Sequence, residues 1–132
     1  MNDPLGYLIS DTGRMLRKAF DERAREIGVT RPQWRLLAQL HRFPGSKQAP
    51  LAEYLEVEPI TLSRMVDRLQ ESGLVERRAD PNDRRAWSLF LTDKAMPLIH
   101  HIKAIEDDLH EEALADISPA QVEQFRQTLN QM

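Results

Sequence analysis

The spacing of apolar residues changes at Gly73, and this change limits the folds open to the chain. Before Gly73, segment 59–72 repeats apolar residues at steps of three and four, the spacing of one helix face. After it, segments 74–77 and 87–91 have the short apolar patterns of strands. Between them, Asp80-Pro81-Asn82-Asp83 suits a type I turn, with proline at its second position. The sequence therefore predicts a helix followed directly by a β-hairpin with a long, polar, arginine-bearing tip.

Helical spacing also predicts five other helices around this unit. Pro97 falls in the second turn of the fifth helix, where it should remove one backbone hydrogen bond and bend the axis. The chain has 132 residues and no linker-like segment, so one mainly α domain with a small β-hairpin is expected, in the order α-α-α-α-β-β-α-α. The other helices are predicted over residues 5–27, 31–43, around 51–55, 93–115 and from 119 onward.

Composition and charge distribution limit the classes of function open to the chain. The net charge is −3, but residues 105–132 carry seven acidic side chains and one basic one, so the rest is net basic. An anionic partner should therefore contact the first hundred residues. Without cysteine there is no disulfide or thiol chemistry, and no nucleophile–base motif predicts an enzyme. No apolar run reaches membrane length and the start lacks a signal pattern, so a soluble cytoplasmic protein is expected, without membrane partner, metal or cofactor.

The predicted fourth helix begins with residues that suit the major groove of DNA. Arg64 can donate two hydrogen bonds to a guanine edge, and Ile60 and the methyl group of Thr61 can touch a thymine methyl. Hydroxyl groups of Thr61 and Ser63 can reach a base or a phosphate, with Arg68 on the flank. The alternative interpretation is an ordinary solvated helix face with one stray isoleucine.

The hairpin tip favours the DNA interpretation. Arg84 and Arg85 follow the turn, and a narrow minor groove attracts arginine through its negative potential. Asp83 beside them can hold one arginine by a charge-assisted hydrogen bond and so aim the other. The alternative is an exposed loop in which Asp80 and Asp83 compensate both arginines.

These segments resemble the MarR family. Residues 51–55, 61–69 and 73–78 are similar to its helix-turn-helix, and 80–85 with Leu91-Thr92 resemble its wing signature. Leu5-Gly6, Trp34 and Pro97-Leu98-Ile99 are similar to its SlyA-like branch.

The resemblance implies a homodimeric winged-helix repressor on a pseudo-palindromic promoter site, released by a small aromatic acid. Residues 1–28 and 93–132 would be dimerisation helices and 29–92 the DNA-binding winged helix. Thr61 and Arg64 would contact the major groove beside Ile60 and Ser63. Arg84 would enter the minor groove, supported by an Asp83–Arg85 pair. A departure from the family is Glu56, where its members usually have glycine; a positive φ there would cost about 1 kcal/mol.

Two further hypotheses concern partners. The terminal helices carry apolar stripes that suit a dimer or, alternatively, a closed monomeric subdomain. Arg14, Arg17, Trp34 and His41 are candidates to bind an aromatic carboxylate, although Trp34 could equally be a core residue and the arginines solvated. A different class of function is a winged-helix module that binds protein and not DNA.

Overall fold

The computed structural model describes residues 3–132, with the exception of the Arg84 side chain. Within them lie six α-helices, three strands and one 3-10 turn. The elements are α1 (Leu5–Glu26), α2 (Arg31–Arg42), β1 (Ser46–Lys47), α3 (Gln48–Leu55), α4 (Pro59–Glu71), β2 (Val75–Asp80), β3 (Asp83–Leu91), the 3-10 turn Asp93–Ala95, α5 (Met96–Ala113) and α6 (Pro119–Gln131). The predicted mainly helical winged fold is confirmed.

The core lies where α2, α3, α4 and the sheet meet and extends to the second half of α1 and to α5. It uses the apolar face predicted for α4. Leu62 and Val66 of α4 are fully buried, and Leu69 is nearly so. They pack in one cluster with the buried leucines of α2 and with Val75 and Leu89 of the hairpin. Each fully buried side chain of this size contributes about 1.5–3 kcal/mol. Burying one face of α4 in this way leaves its opposite face in solvent.

Glycine and proline set the ends of α4. Pro59 occupies its first turn, where a missing N–H costs nothing. Gly73 ends it with a positive φ of 79°, and the next amide, of Leu74, donates back to the carbonyl of Leu69 at 2.9 Å. The chain therefore leaves the helix and enters the hairpin in a single turn.

The sheet is antiparallel with strand order β1-β3-β2. Strands β2 and β3 are longer than predicted. Because only Pro81 and Asn82 lie between them, the prediction of a long tip is wrong. Strand pairing continues to Asp80 opposite Asp83 because a bulge between Ala79 and Asp80 adjusts the register. The pattern also missed β1, whose two residues are too short to show a period.

The start of the fifth helix differs from the prediction. Thr92 precedes the 3-10 turn and not an α-helix, so α5 begins only at Met96. Pro97 consequently lies in the first turn of α5, where proline removes no intrahelical hydrogen bond. The physical reason for a bend of the helix axis at Pro97 is therefore absent.

The outermost parts of the two terminal helices, residues 5–12 of α1 and the whole of α6, contribute no buried residue to the core. In α6, all of which is described, no residue is buried, and Phe125 and Leu129 are exposed. The first residues of α1, Leu5, Tyr7 and Leu8, are likewise exposed. A short capping box holds the start of α6: Ser118 Oγ accepts from the Gln121 amide, and Gln121 Oε1 accepts from the Ser118 amide, both at 3.2 Å.

Candidate nucleic-acid interface

The exposed face of α4 carries the side chains predicted for the major groove. Ile60 is 60% exposed, and Thr61, Arg64 and Arg68 are also exposed. Ser63 is half-buried, and its carbonyl oxygen is bound by the hairpin. An isoleucine this open, beside arginines at the start of a helix, gives a surface able to contact thymine methyls, guanine edges and phosphates.

The break before α4 is made by Glu56 in the left-handed conformation, with φ 56° and ψ 42°. It is the one non-glycine residue with positive φ in the described part of the chain. The Val57 amide donates to the Ala52 carbonyl at 3.0 Å and closes the end of α3. The positive φ anticipated for this position is therefore present, and glutamate occupies a site that favours glycine.

Asp80 builds the turn of the wing, the hairpin formed by β2 and β3. Its Oδ1 accepts from the Asn82 amide at 2.8 Å, and its other oxygen pairs with the ammonium group of Lys47 on β1. These contacts, that of Lys47 first, hold the pKa of the Asp80 carboxyl below its usual range, and the same pair raises the pKa of Lys47. The Asp80 carboxylate thus holds the turn of the wing and joins the wing to β1.

The described residues after Asp80 at the wing tip are open to solvent. Asp83 and Arg85 are exposed. The contact recorded between them runs from the Arg85 backbone amide to Asp83 Oδ1 at 2.9 Å, not through the guanidinium group. The Arg84 side chain, predicted for the minor groove, lies outside the described residues. Trp87, on the same strand, is 44% exposed and lines the cleft between the wing and the starts of α3 and α4.

A set of contacts that the sequence analysis missed connects the wing to α4. Arg77 of β2 donates to Gln48 and Gln70 side chains and to the Ser63 carbonyl, and it pairs with Asp67 at 2.7 Å. Its side chain is only 15% exposed. The sequence indicates only that Arg77 is a charged residue at the inward-facing position opposite Leu89. Its hydrogen-bond partners could not be predicted, because they lie up to 29 positions away.

A separate cavity of about 250 Å³ lies between α1, α2 and α5. Of the residues predicted to bind an aromatic carboxylate, it brings together Arg17 and Trp34, while Arg14 and His41 do not line it. Arg14 instead forms an exposed pair with Asp11. The described lining also includes residues that the sequence did not single out, namely Phe20, Arg35, Arg42, Tyr54, Glu106 and His110.

Trp34 is oriented by Asp21 of α1. The indole N–H donates to Asp21 Oδ1 at 2.7 Å, and the indole ring packs on Phe20 with centroids 4.3 Å apart. Burial alone would raise the pKa of Asp21, but hydrogen bonds from Arg31 and Trp34 outweigh it and lower that pKa. The ring faces of Trp34 and Phe20 therefore form part of an apolar wall, with arginines near its rim.

Two further properties of the described residues bear on other functions. None of their helices combines the length and apolar character needed to cross a membrane. Nor do their His, Asp and Glu side chains come together in groups of three that could bind a metal ion.

Comparison with known proteins agrees with this architecture. The sequence model of the MarR family matches residues 29–87. Among solved structures, wild-type MarR from E. coli, without ligand, is similar with 26% identity and a TM-score of 0.82, covering 99% of this chain and 97% of that one. A further MarR structure shares 30% identity, with a TM-score of 0.75 and coverage of 98% and 94%. A cysteine-to-serine mutant of E. coli MarR in complex with operator DNA shares 26% identity, with a TM-score of 0.75 and coverage of 97% and 92%.

Proposed function

Because the chain belongs to the MarR family of transcriptional regulators, we propose that it represses transcription by occupying a pseudo-palindromic promoter site as a homodimer. The observation that carries the proposal is the pairing of two exposed features: the start of α4, with Ile60 and Arg64 in solvent, and the tip of the wing, with Asp83 and Arg85 in solvent. A helix inserted by its N-terminal end reads the major groove, and the adjacent wing then reaches a minor groove.

Within this proposal, each DNA-binding residue has a role. Arg64 and Thr61 contact base edges, with Ile60 against thymine methyls and Ser63 and Arg68 at the flanking backbone. Arg84 enters the minor groove, and Asp83 orders the neighbouring Arg85 through its backbone amide. The similarity of Leu5-Gly6, Trp34 and Pro97-Leu98-Ile99 to the SlyA-like branch supports placement there. A regulator that occupies promoter DNA would act in the cytoplasm.

The terminal helices support a homodimer. A 13-residue helix with no buried residue, as α6 is, has marginal stability alone, since helices in proteins gain most of their stability from packing. Its Phe125 and Leu129, with Leu5 and Leu8 of α1, offer an apolar surface that a second copy would cover. An isologous dimer of this kind places two recognition helices about 34 Å apart, one turn of DNA.

Binding of DNA is tested by a mobility-shift titration with a nonspecific duplex at about 50 and about 200 mM salt. A protein with 6–10 phosphate contacts loses about 10³-fold or more in affinity over this range. A flat response would favour the alternative, a winged-helix module that binds protein. Selection from a random duplex library then tests the site: two inverted half-sites are expected, and a single unpaired half-site would contradict the dimer.

Release by a small aromatic carboxylate rests on the cavity beside Trp34. Its volume of about 250 Å³ lies just under the usual range of ligand pockets, about 300–1,000 Å³, so a single-ring acid fits best. Arg17 would bind the carboxylate and the Trp34–Phe20 wall would pack on the ring. In a Trp87→Phe background, salicylate should quench the fluorescence of Trp34 and release the selected duplex, and Arg17→Ala should weaken both effects. Arg14→Ala is the matched control, because this arginine does not line the cavity.

A further inference from the structure

The guanidinium group of Arg77 is bound on every nitrogen. Nε donates to Gln48 Oε1 on α3 at 2.9 Å, and Nη1 donates to Gln70 Oε1 on α4 at 3.1 Å. Nη2 donates to the Ser63 carbonyl at 3.0 Å and pairs with Asp67 Oδ1 at 2.7 Å. Four acceptors on two helices therefore fix one planar group on the wing.

These contacts fall where the wing leaves the core. Val75, two residues earlier on the same face of β2, is buried, whereas Arg78 and Ala79 are exposed. The other polar anchor of the wing, Lys47–Asp80, attaches it to β1 and not to α4. Arg77 is thus the polar connection between the wing and the recognition helix among the described residues.

Charge pairing indicates that Arg77 does not itself bind phosphate. Its side chain is 15% exposed, and the Asp67 carboxylate together with three neutral acceptors already satisfies it. Arg78, the next residue, contrasts with it: its side chain is 59% exposed, stacks on Phe90 and points to the other face of the strand.

We propose that Arg77 is a positioning residue that fixes the wing relative to α4, so that the two grooves of a half-site are read at one spacing. The inference rests on the proposed function. Hydrogen bonds in three directions from one rigid plane restrict both translation and rotation of the hairpin, which a flexible ammonium group could not do. Without the Arg77 contacts, α4 still binds the major groove, but the wing is no longer held in position for the adjacent minor groove.

The test uses the duplex selected by the wild-type protein and a second duplex with the wing-contacted flanks changed. The measured quantity is the ratio of affinities for the two, because a ratio does not depend on the fraction of folded protein. Arg77→Met is expected to lower this ratio about three- to tenfold, the size of coupling within one hydrogen-bond network. Arg77→Lys should restore little of the loss, and Arg78→Met, which removes the same charge from the same strand, should keep the wild-type ratio.

The outcomes separate the two proposals. An unchanged ratio in Arg77→Met, even with lower thermal stability, would mean that Arg77 only stabilises the fold and would overturn the inference. A wild-type protein that selects no sequence would overturn the proposed function itself. If the wild-type protein bound both duplexes with equal affinity, the wing would not read DNA and the inference would be overturned as well. If Arg77→Met does not fold, Gln70→Ala, which removes only the Nη1 partner, should lower the ratio about two- to threefold.

Discussion

Replacing Glu56 by glycine should stabilise this protein, although the substitution deletes a whole side chain. Glu56 has φ 56° and ψ 42° between α3 and α4, and its side chain is exposed. In this conformation the Cβ atom of an L-residue approaches its own carbonyl oxygen, which costs about 1–2 kcal/mol. Glycine has no Cβ and so removes this cost.

The gain is smaller than the relieved strain because glycine also makes the unfolded chain more flexible. That entropy effect is about 0.4–1 kcal/mol. The net stabilisation of Glu56→Gly is therefore expected to be about 1 kcal/mol, the middle of the range that these two figures allow, which raises the Tm of a chain of this length by about 4 °C. Glu56→Asn should give part of this gain, because asparagine tolerates the left-handed region better than other L-residues.

The assay is thermal and urea unfolding at one fixed protein concentration, since dimerisation would make the Tm depend on concentration. Two controls isolate the backbone effect. Glu56→Gln removes the charge but keeps Cβ, so its Tm should equal that of the wild type. Glu53→Gly places the same substitution at an exposed helical position of α3, where it should destabilise by about 1 kcal/mol. If Glu56→Gly lowered the Tm as Glu53→Gly does, the strain argument would be refuted.

Other predictions concern acid stability, base reading and assembly. The pKa of the Asp80 carboxyl is lowered in the folded protein. The stability that this carboxylate adds is therefore fully present above its unfolded pKa of about 3.9 and is lost as pH falls through its folded pKa. Asp80→Asn should make the free energy of unfolding depend less on pH in this acid range, measured down to about pH 2. Arg64→Ala should weaken binding by about 1–3 kcal/mol and relax the preference at one base per half-site, and equal weakening on all sequences would make it a phosphate contact. Arg84→Ala should weaken binding most on A·T-rich flanks, and no such dependence would place the wing outside the groove. Phe125→Asp should give monomers in sedimentation while the exposed neighbour Gln124→Asp stays dimeric, and a dimeric Phe125→Asp would contradict the proposed interface.

The α-helices and the two strands of the hairpin could be recognised from the sequence because their signals are local. Apolar spacing placed Leu62 and Val66 in the core and left Ile60 and Arg64 exposed, as the structure has them. The pattern failed for the two shortest elements. β1 has two residues, and the 3-10 turn before α5 has three, so neither repeats long enough to show a period.

What the sequence determined by itself was therefore which face of each long helix is apolar and where polar residues gather, because period and turn chemistry act between near neighbours. Tertiary structure alone decided which distant polar groups meet. Arg77 and Gln48 are 29 positions apart, and Lys47 and Asp80 are brought together only by the order β1-β3-β2. No local pattern encodes such pairs, since the sequence around a charged residue is the same whether its side chain is exposed to solvent or binds a residue far along the chain.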